Sequence, residues 1–149
     1  TFGDVYYRMS EEGSCLVIET IERIKNGNFD LKKQENNLAT KAPKIFRDFC
    51  RIDWNRDALV VHNFIRGLSP IPSAYTTISG KMCKILKTSL TDIPSDKSPG
   101  SIKTDSKKLY VSAKDKYVEI ITIQPEGKKP MQANDFINGL NKASDIEFS

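Results

Sequence analysis

The residues best suited to catalysis in this sequence are few and widely separated. His62 is the only histidine, and no pattern brings it near a cysteine or serine, as a nucleophile and its base require. Glu11 and Glu12 are adjacent, so a helix would point their carboxylates in different directions. The segment PEGKKP, residues 125–130, is a basic turn without the glycine spacing of a phosphate-binding loop. These patterns predict no catalytic residue.

The cysteines do not indicate a metal centre. Cys15, Cys50 and Cys83 are the 3 cysteines of the chain, and they form neither a CxxC motif nor a Cys/His ligand spacing. An odd number of widely spaced cysteines is typical of a reducing compartment. No run reaches the roughly 20 apolar residues that a membrane-spanning helix needs. We therefore predict a cytoplasmic protein with no metal and no membrane partner.

The basic side chains suggest a different chemistry, the binding of a polyanion. Residues 31–100 carry 12 lysines and arginines against 6 acidic residues, and the whole chain has a net charge of +4. Basic side chains that neutralise phosphates release condensed counterions and so gain affinity. Basic runs more often only solvate a linker or a helix face. Charge alone therefore leaves nucleic-acid binding as a hypothesis.

Two short amphipathic helices are expected at the start of the chain. TFGDVYYRMSEEG has helical spacing and ends at Gly13, and SCLVIETIERIKNGN follows with Ser14 as N-cap and Gly27 as stop. The next stretch, residues 29–48, has weak periodicity and is interpreted as an extended linker. The apolar helix faces have no evident partner and the chain starts without methionine, so we expect the last helices of a truncated domain.

A third helix and a rigid bend are expected after the linker. RIDWNRDALVVHNFIRGL, residues 51–68, predicts a helix with Asp53 as N-cap and Gly67 as stop. Pro70 and Pro72 then prevent the helix from continuing. Trp54 is interpreted as a core residue because a single tryptophan before a helix is usually buried.

The remainder predicts a small antiparallel β structure. AYTTISGKMCKILKTSLT alternates like a hairpin that turns at Ser79 and Gly80, and GSIKT, KLYVSA and KYVEIITIQ follow as three strands. ANDFINGL adds a terminal helical turn. Five strands with an added helix predict an α+β fold in which the strands form an oligonucleotide-binding (OB) type barrel.

Several motifs, in order, resemble the C-terminal half of the methionyl-tRNA formyltransferase family. They are RIDW, IRGLSPIPSAYT, IQPEGKKPM and ANDFINGL; the opening TFGDVYYRMSEEG resembles the helix that closes the family's folate-binding domain, and ATKAPKI resembles its interdomain linker. The resemblance covers essentially the whole chain. It implies the last helices of a Rossmann-like domain at 1–30, a basic linker at 31–50 and an OB-like tRNA-binding domain at 51–149.

The resemblance also implies a reaction and its participants. The family transfers a formyl group from the co-substrate 10-formyltetrahydrofolate to the amino group of methionine on initiator tRNA. Its catalytic Asn, His and Asp precede the first residue of this chain, so no position inherits those roles, His62 included. The fragment is expected to hold no cofactor and to be inactive alone. Its implied partner is initiator methionyl-tRNA, and the full-length protein is expected to be a monomer.

The family's tRNA-binding role makes basic residues in the linker, the third helix and the barrel candidates for phosphate contacts. They are Lys41, Lys44, Arg47, Arg51, Arg66, Lys128 and Lys129. Arg51 and Arg66 could equally be structural ion-pair partners. Two other interpretations remain open. One is the C-terminal domain of a related formyltransferase or formyltetrahydrofolate hydrolase with a non-tRNA substrate, and the other is a purely structural module.

Overall fold

The computed structural model of this chain describes residues 1–139 and Phe148. The chain divides into two compact units. The first is Gly3–Ile45, and the second is Phe46–Ser149 and also includes Thr1 and Phe2. The described helices are α1 (Phe2–Lys25), α2 (Ala58–Leu68) and α3 (Ala133–Asn138). The described strands are β1 (Ala74–Ile78), β2 (Lys81–Pro94), β3 (Ile102–Asp105), β4 (Lys108–Ser112), β5 (Lys116–Pro125) and β6 (Met131–Gln132).

The prediction of two helices at the start of the chain is wrong, because α1 is one continuous helix of 24 residues. Gly13 lies inside it, since glycine costs a helix interior only about 1 kcal/mol relative to alanine and need not end the helix. Ser14 does not cap a second helix; its hydroxyl donates a 2.7 Å hydrogen bond to the carbonyl of Glu11. The predicted end of the helix, at Lys25 and Gly27, is confirmed.

The apolar side chains of α1 are exposed. Val17, Ile21 and Ile24 lie four and three residues apart, so they share one helix face, and each exposes about half of its surface or more. The segment between α1 and residue 45 contains a short 3₁₀ turn at Asn36–Leu38 and is otherwise irregular. Among residues 1–139, no helix has the length and apolar character needed to cross a membrane.

The second unit is built on one antiparallel sheet. The strand order is β1-β2-β5-β4-β3, and β6 pairs with β5. The predicted hairpin turn is confirmed, because Ser79 and Gly80 have φ of 49° and 76°, the left-handed values that a two-residue hairpin turn requires. The five predicted strands are present. The sixth, β6, was missed because its two residues are recognisable as a strand only through their pairing with Thr122 and Ile123.

The pairing of strands leaves β1 and β3 at the two ends of the sheet, so the observed architecture is an α+β fold with an open antiparallel sheet. Phe148 contacts the chain next to both of these edge strands. Its amide donates a 2.9 Å hydrogen bond to the carbonyl of Gly100, two residues before β3, and it forms an isolated antiparallel bridge with Ile78 of β1.

Helix α2 packs on the sheet through a stripe of residues spaced three and four apart. Ala58, Val61, Ile65 and Leu68 are all buried. They join a core that contains Ile85 and other fully buried residues of β2, β4 and β5. This spacing is the one that an amphipathic helix presents to a core.

The start of α2 differs from the sequence prediction. The helix begins at Ala58 with Asp57 in the N-cap position, not at Asp53. Asp53 forms a local turn instead, accepting a 3.1 Å hydrogen bond from the amide of Asn55. The first amide of the helix, on Ala58, donates at 2.7 Å to the carboxylate of Asp115, which lies between β4 and β5.

The proline bend, residues 69–73, ties the end of α2 to the sheet. The Ser69–Pro70 and Ile71–Pro72 peptide bonds are cis. The hydroxyl of Ser69 donates at 2.6 Å to the carbonyl of Leu86 in β2, and the amide of Ser73 donates at 2.9 Å to the carbonyl of Leu68. The bend is therefore held by hydrogen bonds to both the helix and the sheet.

Candidate nucleic-acid interface

Two of the predicted phosphate-binding residues, Arg47 and Arg51, lie on one open cleft of about 420 Å³. A 3₁₀ turn at Arg47–Cys50 spaces the two side chains, and Cys50 anchors this turn because only 2% of its surface is exposed. We call this surface the arginine cleft; its other lining residues include Asp48, Tyr75, Met82 and Glu126.

Both arginines are attached to strand β1. The backbone of Arg51 forms a parallel bridge with Tyr75, and the next amide, on Ile52, donates at 2.8 Å to the Tyr75 carbonyl. The guanidinium of Arg47 lies 5.8 Å from the centroid of the Tyr75 ring, within the range of a cation–π contact, and donates at 3.2 Å to the sulfur of Met82. Arg47 is thus positioned before any ligand arrives.

A row of polar side chains crosses the sheet next to the arginine cleft. Tyr75 lies opposite Lys84 on β2, and Lys84 lies opposite Gln124 on β5. Residues paired directly across antiparallel strands share one face of the sheet. Lys84 was not chosen from the sequence, although its position between buried Cys83 and Ile85 marks it as a residue of the outer face.

The turn between β5 and β6 borders the same cleft. Glu126 lines the cleft, and its amide donates at 3.0 Å to the carbonyl of Met82. The side-chain amide of Gln124 donates at 2.9 Å to the carbonyl of Lys128. This turn also carries the exposed residues Lys128 and Lys129, two and three positions after Glu126, although neither lines the cleft itself.

The remaining candidates lie elsewhere. Arg66 is exposed near the end of α2, where it lines a second cleft of about 210 Å³ together with His62 and Lys87. Lys41 and Lys44 are exposed residues of the first compact unit. The second unit therefore places Arg47 and Arg51 on one cleft, Lys128 and Lys129 on the turn next to it, and Arg66 on another cleft.

His62 is held against β2. Its Nδ1 lies 2.8 Å from the hydroxyl of Thr88. Burial lowers the pKa of His62, and the positive charge of Arg66 lowers it further, so the neutral ring is favoured. His62 is therefore a packed side chain whose Nδ1 has a hydrogen-bond partner, the hydroxyl of Thr88.

The cysteines are all free, and two of them are packed in the core. Cys83 exposes 1% of its surface, and burial raises its pKa to about 12, so its sulfur stays a thiol near neutral pH. Burial also raises the pKa of Cys50. Within residues 1–139 and Phe148, no group of three His, Cys, Asp or Glu side chains is arranged to hold a metal ion.

Comparison with known proteins places this architecture in a family context. Residues 44–141 match the family model described as the formyl transferase C-terminal domain. A methionyl-tRNA formyltransferase of Chlorobium luteolum is 42% identical over 135 residues, which cover 89% of this chain and 43% of that protein. One of Porphyromonas gingivalis is 37% identical over 158 residues, covering 98% and 49%. The chain spans about half the length of the curated relatives it matches.

A solved structure shares the fold at low sequence identity. HypX from Aquifex aeolicus, in complex with tetrahydrofolic acid, superposes with a TM-score of 0.62 and 17% identity, covering 81% of this chain and 22% of that one. Because the identity is so low, this likeness concerns the fold alone.

Proposed function

Because this chain belongs to the family of formyl transferase C-terminal domains, we propose that it is the tRNA-binding part of a methionyl-tRNA formyltransferase. The observation that carries the proposal is the arginine cleft, where Arg47 and Arg51 lie beside the turn of Lys128 and Lys129. The names of the relatives favour tRNA over the non-tRNA substrates of related formyl-handling enzymes.

The reaction of the whole enzyme would transfer the formyl group of 10-formyltetrahydrofolate to the amino group of methionine on initiator tRNA, releasing tetrahydrofolate. The catalytic residues would lie in the other half of the enzyme, whose last helices would include residues 1–30. This chain would hold the RNA during translation initiation in the cytoplasm and would have no formyl transfer activity alone. The full-length enzyme would act as a monomer.

The chemistry of the arginine cleft suits the backbone of a folded RNA. A guanidinium offers paired donors that match the geometry of a phosphate, and Arg47 is already positioned by Tyr75. Structured RNA is recognised largely through its shape, phosphates and 2′-hydroxyls. The cleft would therefore bind the tRNA backbone without reading a particular base.

We also propose that the sheet works as a partly open OB-type barrel. The contacts that support closure are those of Phe148, whose backbone bonds to Gly100 near β3 and bridges Ile78 of β1. Its ring stacks on Trp54, with centroids 6.0 Å apart and planes at 26°. A barrel of this kind would keep the arginine cleft and the β5–β6 turn in a constant relation.

The proposal predicts salt-dependent binding of initiator tRNA by this chain. The wild-type chain should prefer tRNA to an unstructured RNA of the same length. Arg47→Ala/Arg51→Ala should weaken tRNA binding and reduce the slope of log K against log salt by roughly 1.4–1.8, because each of the two lost phosphate contacts removes about 0.7–0.9. Fluorescence anisotropy across a salt series measures both effects.

A matched control removes the same charge away from the cleft. Lys107→Ala/Lys114→Ala changes two exposed turn lysines that do not line the arginine cleft, and its slope should stay within error of the wild-type slope. Equal losses in the two double variants would show that net charge, not the cleft, drives binding. Absence of tRNA binding even at low salt would reject the proposal in favour of a structural module.

Arg66→Ala and Lys41→Ala/Lys44→Ala then test the candidates that lie outside the arginine cleft. A reduced slope in either variant would extend the RNA footprint to the second cleft or to the linker. An unchanged slope in both would confine the phosphate contacts to the arginine cleft and the β5–β6 turn.

A further inference from the structure

A second surface adjoins the arginine cleft and has a different chemistry. Phe49 is 63% exposed, and its ring contacts that of Phe64 in α2, with ring centroids 5.9 Å apart and planes at 54°. The two rings line an open cleft of about 250 Å³ together with Val60, and its floor includes the buried side chains of Ile52 and Val61. We call this the Phe49 cleft.

The rim of the Phe49 cleft is polar and charged. Arg51, Asp53 and Arg56 line it, and the side chains of Asp53 and Arg56 form an exposed ion pair at 3.4 Å. An aromatic wall over an apolar floor favours a flat ring, while the rim supplies both donors and an acceptor for polar edges. An aliphatic peptide side chain would use the floor and leave the rim without a partner.

Arg51 connects the two clefts, because it lines both of them. Phe49 lies between Arg47 and Arg51 on the same 3₁₀ turn. An RNA phosphate held by Arg51 in the arginine cleft would therefore have a neighbouring nucleotide within reach of the Phe49 ring. The volume of the Phe49 cleft is below the roughly 300–1,000 Å³ typical of drug-sized ligands, which suits a single base.

We infer that the Phe49 cleft binds one unpaired RNA base, stacked on Phe49, next to the phosphates held in the arginine cleft. The inference rests on the proposed RNA-binding function and adds to it a contact with a base. Stacking on an aromatic side chain tolerates any sequence because every base has a π face. The cleft thus binds a base that the folded tRNA leaves unpaired.

The test uses the full 149-residue chain and RNA octamers of identical charge. One octamer is abasic throughout, and the other carries a single 2-aminopurine on the same abasic backbone. The wild-type chain should bind the base-bearing octamer about 5- to 150-fold more tightly, the range expected for one stacked base. Stacking should also quench the 2-aminopurine fluorescence.

Phe49→Ala should abolish both the affinity difference and the quenching. It should leave the salt slope unchanged, because no charge is lost. Phe49→Trp should restore both signals, since it keeps an aromatic face. The matched control is Leu59→Ala, which truncates a side chain that is 56% exposed on the same helix as Phe64 but does not line the cleft; it should behave as wild type.

The outcomes separate this inference from the proposed function. Equal binding of the two octamers by the wild-type chain, or quenching that survives Phe49→Ala, would overturn the base site. In that case salt-dependent tRNA binding that is lost in Arg47→Ala/Arg51→Ala would still support the tRNA-binding role. A thermal unfolding curve for Phe49→Ala that matches wild type would show that any lost stacking does not come from unfolding.

Discussion

At the scale of single residues, Trp54 shows how one side chain links several segments of the second unit. It exposes 4% of its surface, which confirms the prediction that it is a core residue. Its indole nitrogen donates a 3.1 Å hydrogen bond to the hydroxyl of Thr76 in β1, and its ring stacks on Phe148. A buried indole donor needs such a partner, because an unsatisfied buried donor is costly.

Thr76→Val tests this hydrogen bond. Valine keeps the shape of the fully buried threonine but removes the acceptor for Trp54, so the free energy of unfolding should fall by about 1–3 kcal/mol. Urea unfolding followed by tryptophan fluorescence measures the loss. Thr104→Val, at an exposed position on β3, is the matched control and should change stability by less than about 0.5 kcal/mol. Equal effects at the two positions would contradict the assignment.

At the scale of elements, the start of α2 depends on the turn between β4 and β5. Asp115 accepts from the amide of Ala58, and the amide of Lys114 donates at 3.0 Å to the carbonyl of Arg56. The hydrogen bond from Ala58 lowers the pKa of the Asp115 carboxyl. The first free amide of the helix is thus satisfied by a residue 57 positions away, which acts as an N-cap from another element.

Asp115→Ala should lower stability in a pH-dependent way. Asp115 is exposed to solvent, so we expect a loss at the low end of N-cap effects, about 0.5–1 kcal/mol at pH 7. Because its folded pKa is depressed, the contribution is present above the unfolded value near 3.9. It disappears as the pH falls through the folded pKa.

Thermal unfolding of wild type and Asp115→Ala between pH 2 and pH 7 measures this contribution. The two curves of stability against pH should converge at the acid end. Asp105→Ala removes an exposed carboxylate from the β3–β4 hairpin and controls for the change in net charge. A difference between wild type and Asp115→Ala that stays constant down to pH 2 would contradict the proposed capping bond.

At the scale of the second unit as a whole, the decisive contact is the close approach of Phe148 to Gly100. Gly100 has φ of 89°, and a Cβ added there would lie 2.2 Å from the carbonyl oxygen of Phe148. Only glycine fits this approach. The position allows Phe148 to bond to Gly100 beside β3 while Phe148 also bridges Ile78 of β1.

Gly100→Ala should therefore be more destabilising than the same change at another left-handed glycine. Gly80→Ala is the control, because φ there is 76° and nothing lies within 4 Å of the added Cβ. The control should lose about 1–2 kcal/mol from backbone strain alone. Gly100→Ala should lose roughly 1–3 kcal/mol more through the broken hydrogen bond of Phe148. Similar urea midpoints for the two variants would show that the Phe148 contact adds little stability.

Local signals in the sequence were sufficient for most elements. The Ser79 and Gly80 turn, the alternation in the strands and the stop at Lys25 and Gly27 depend on residues close together in the chain, and the structure has all of them. The predicted helix end at Gly13 is wrong because glycine weakens a helix without ending it. The resemblance of several ordered motifs also identified the family that the comparisons show.

The sequence by itself determined the types of the elements and the excess of basic residues, because these follow from spacing and side-chain chemistry. Only the tertiary structure decided which basic residues share a surface. Arg51 forms a backbone bridge with Tyr75, and the amide of Glu126 bonds to the carbonyl of Met82, so these contacts join distant segments. Arg66 lines another cleft. The bond from Ala58 to Asp115 depends on folding in the same way. Such contacts join residues far apart in the chain, and no local pattern records them.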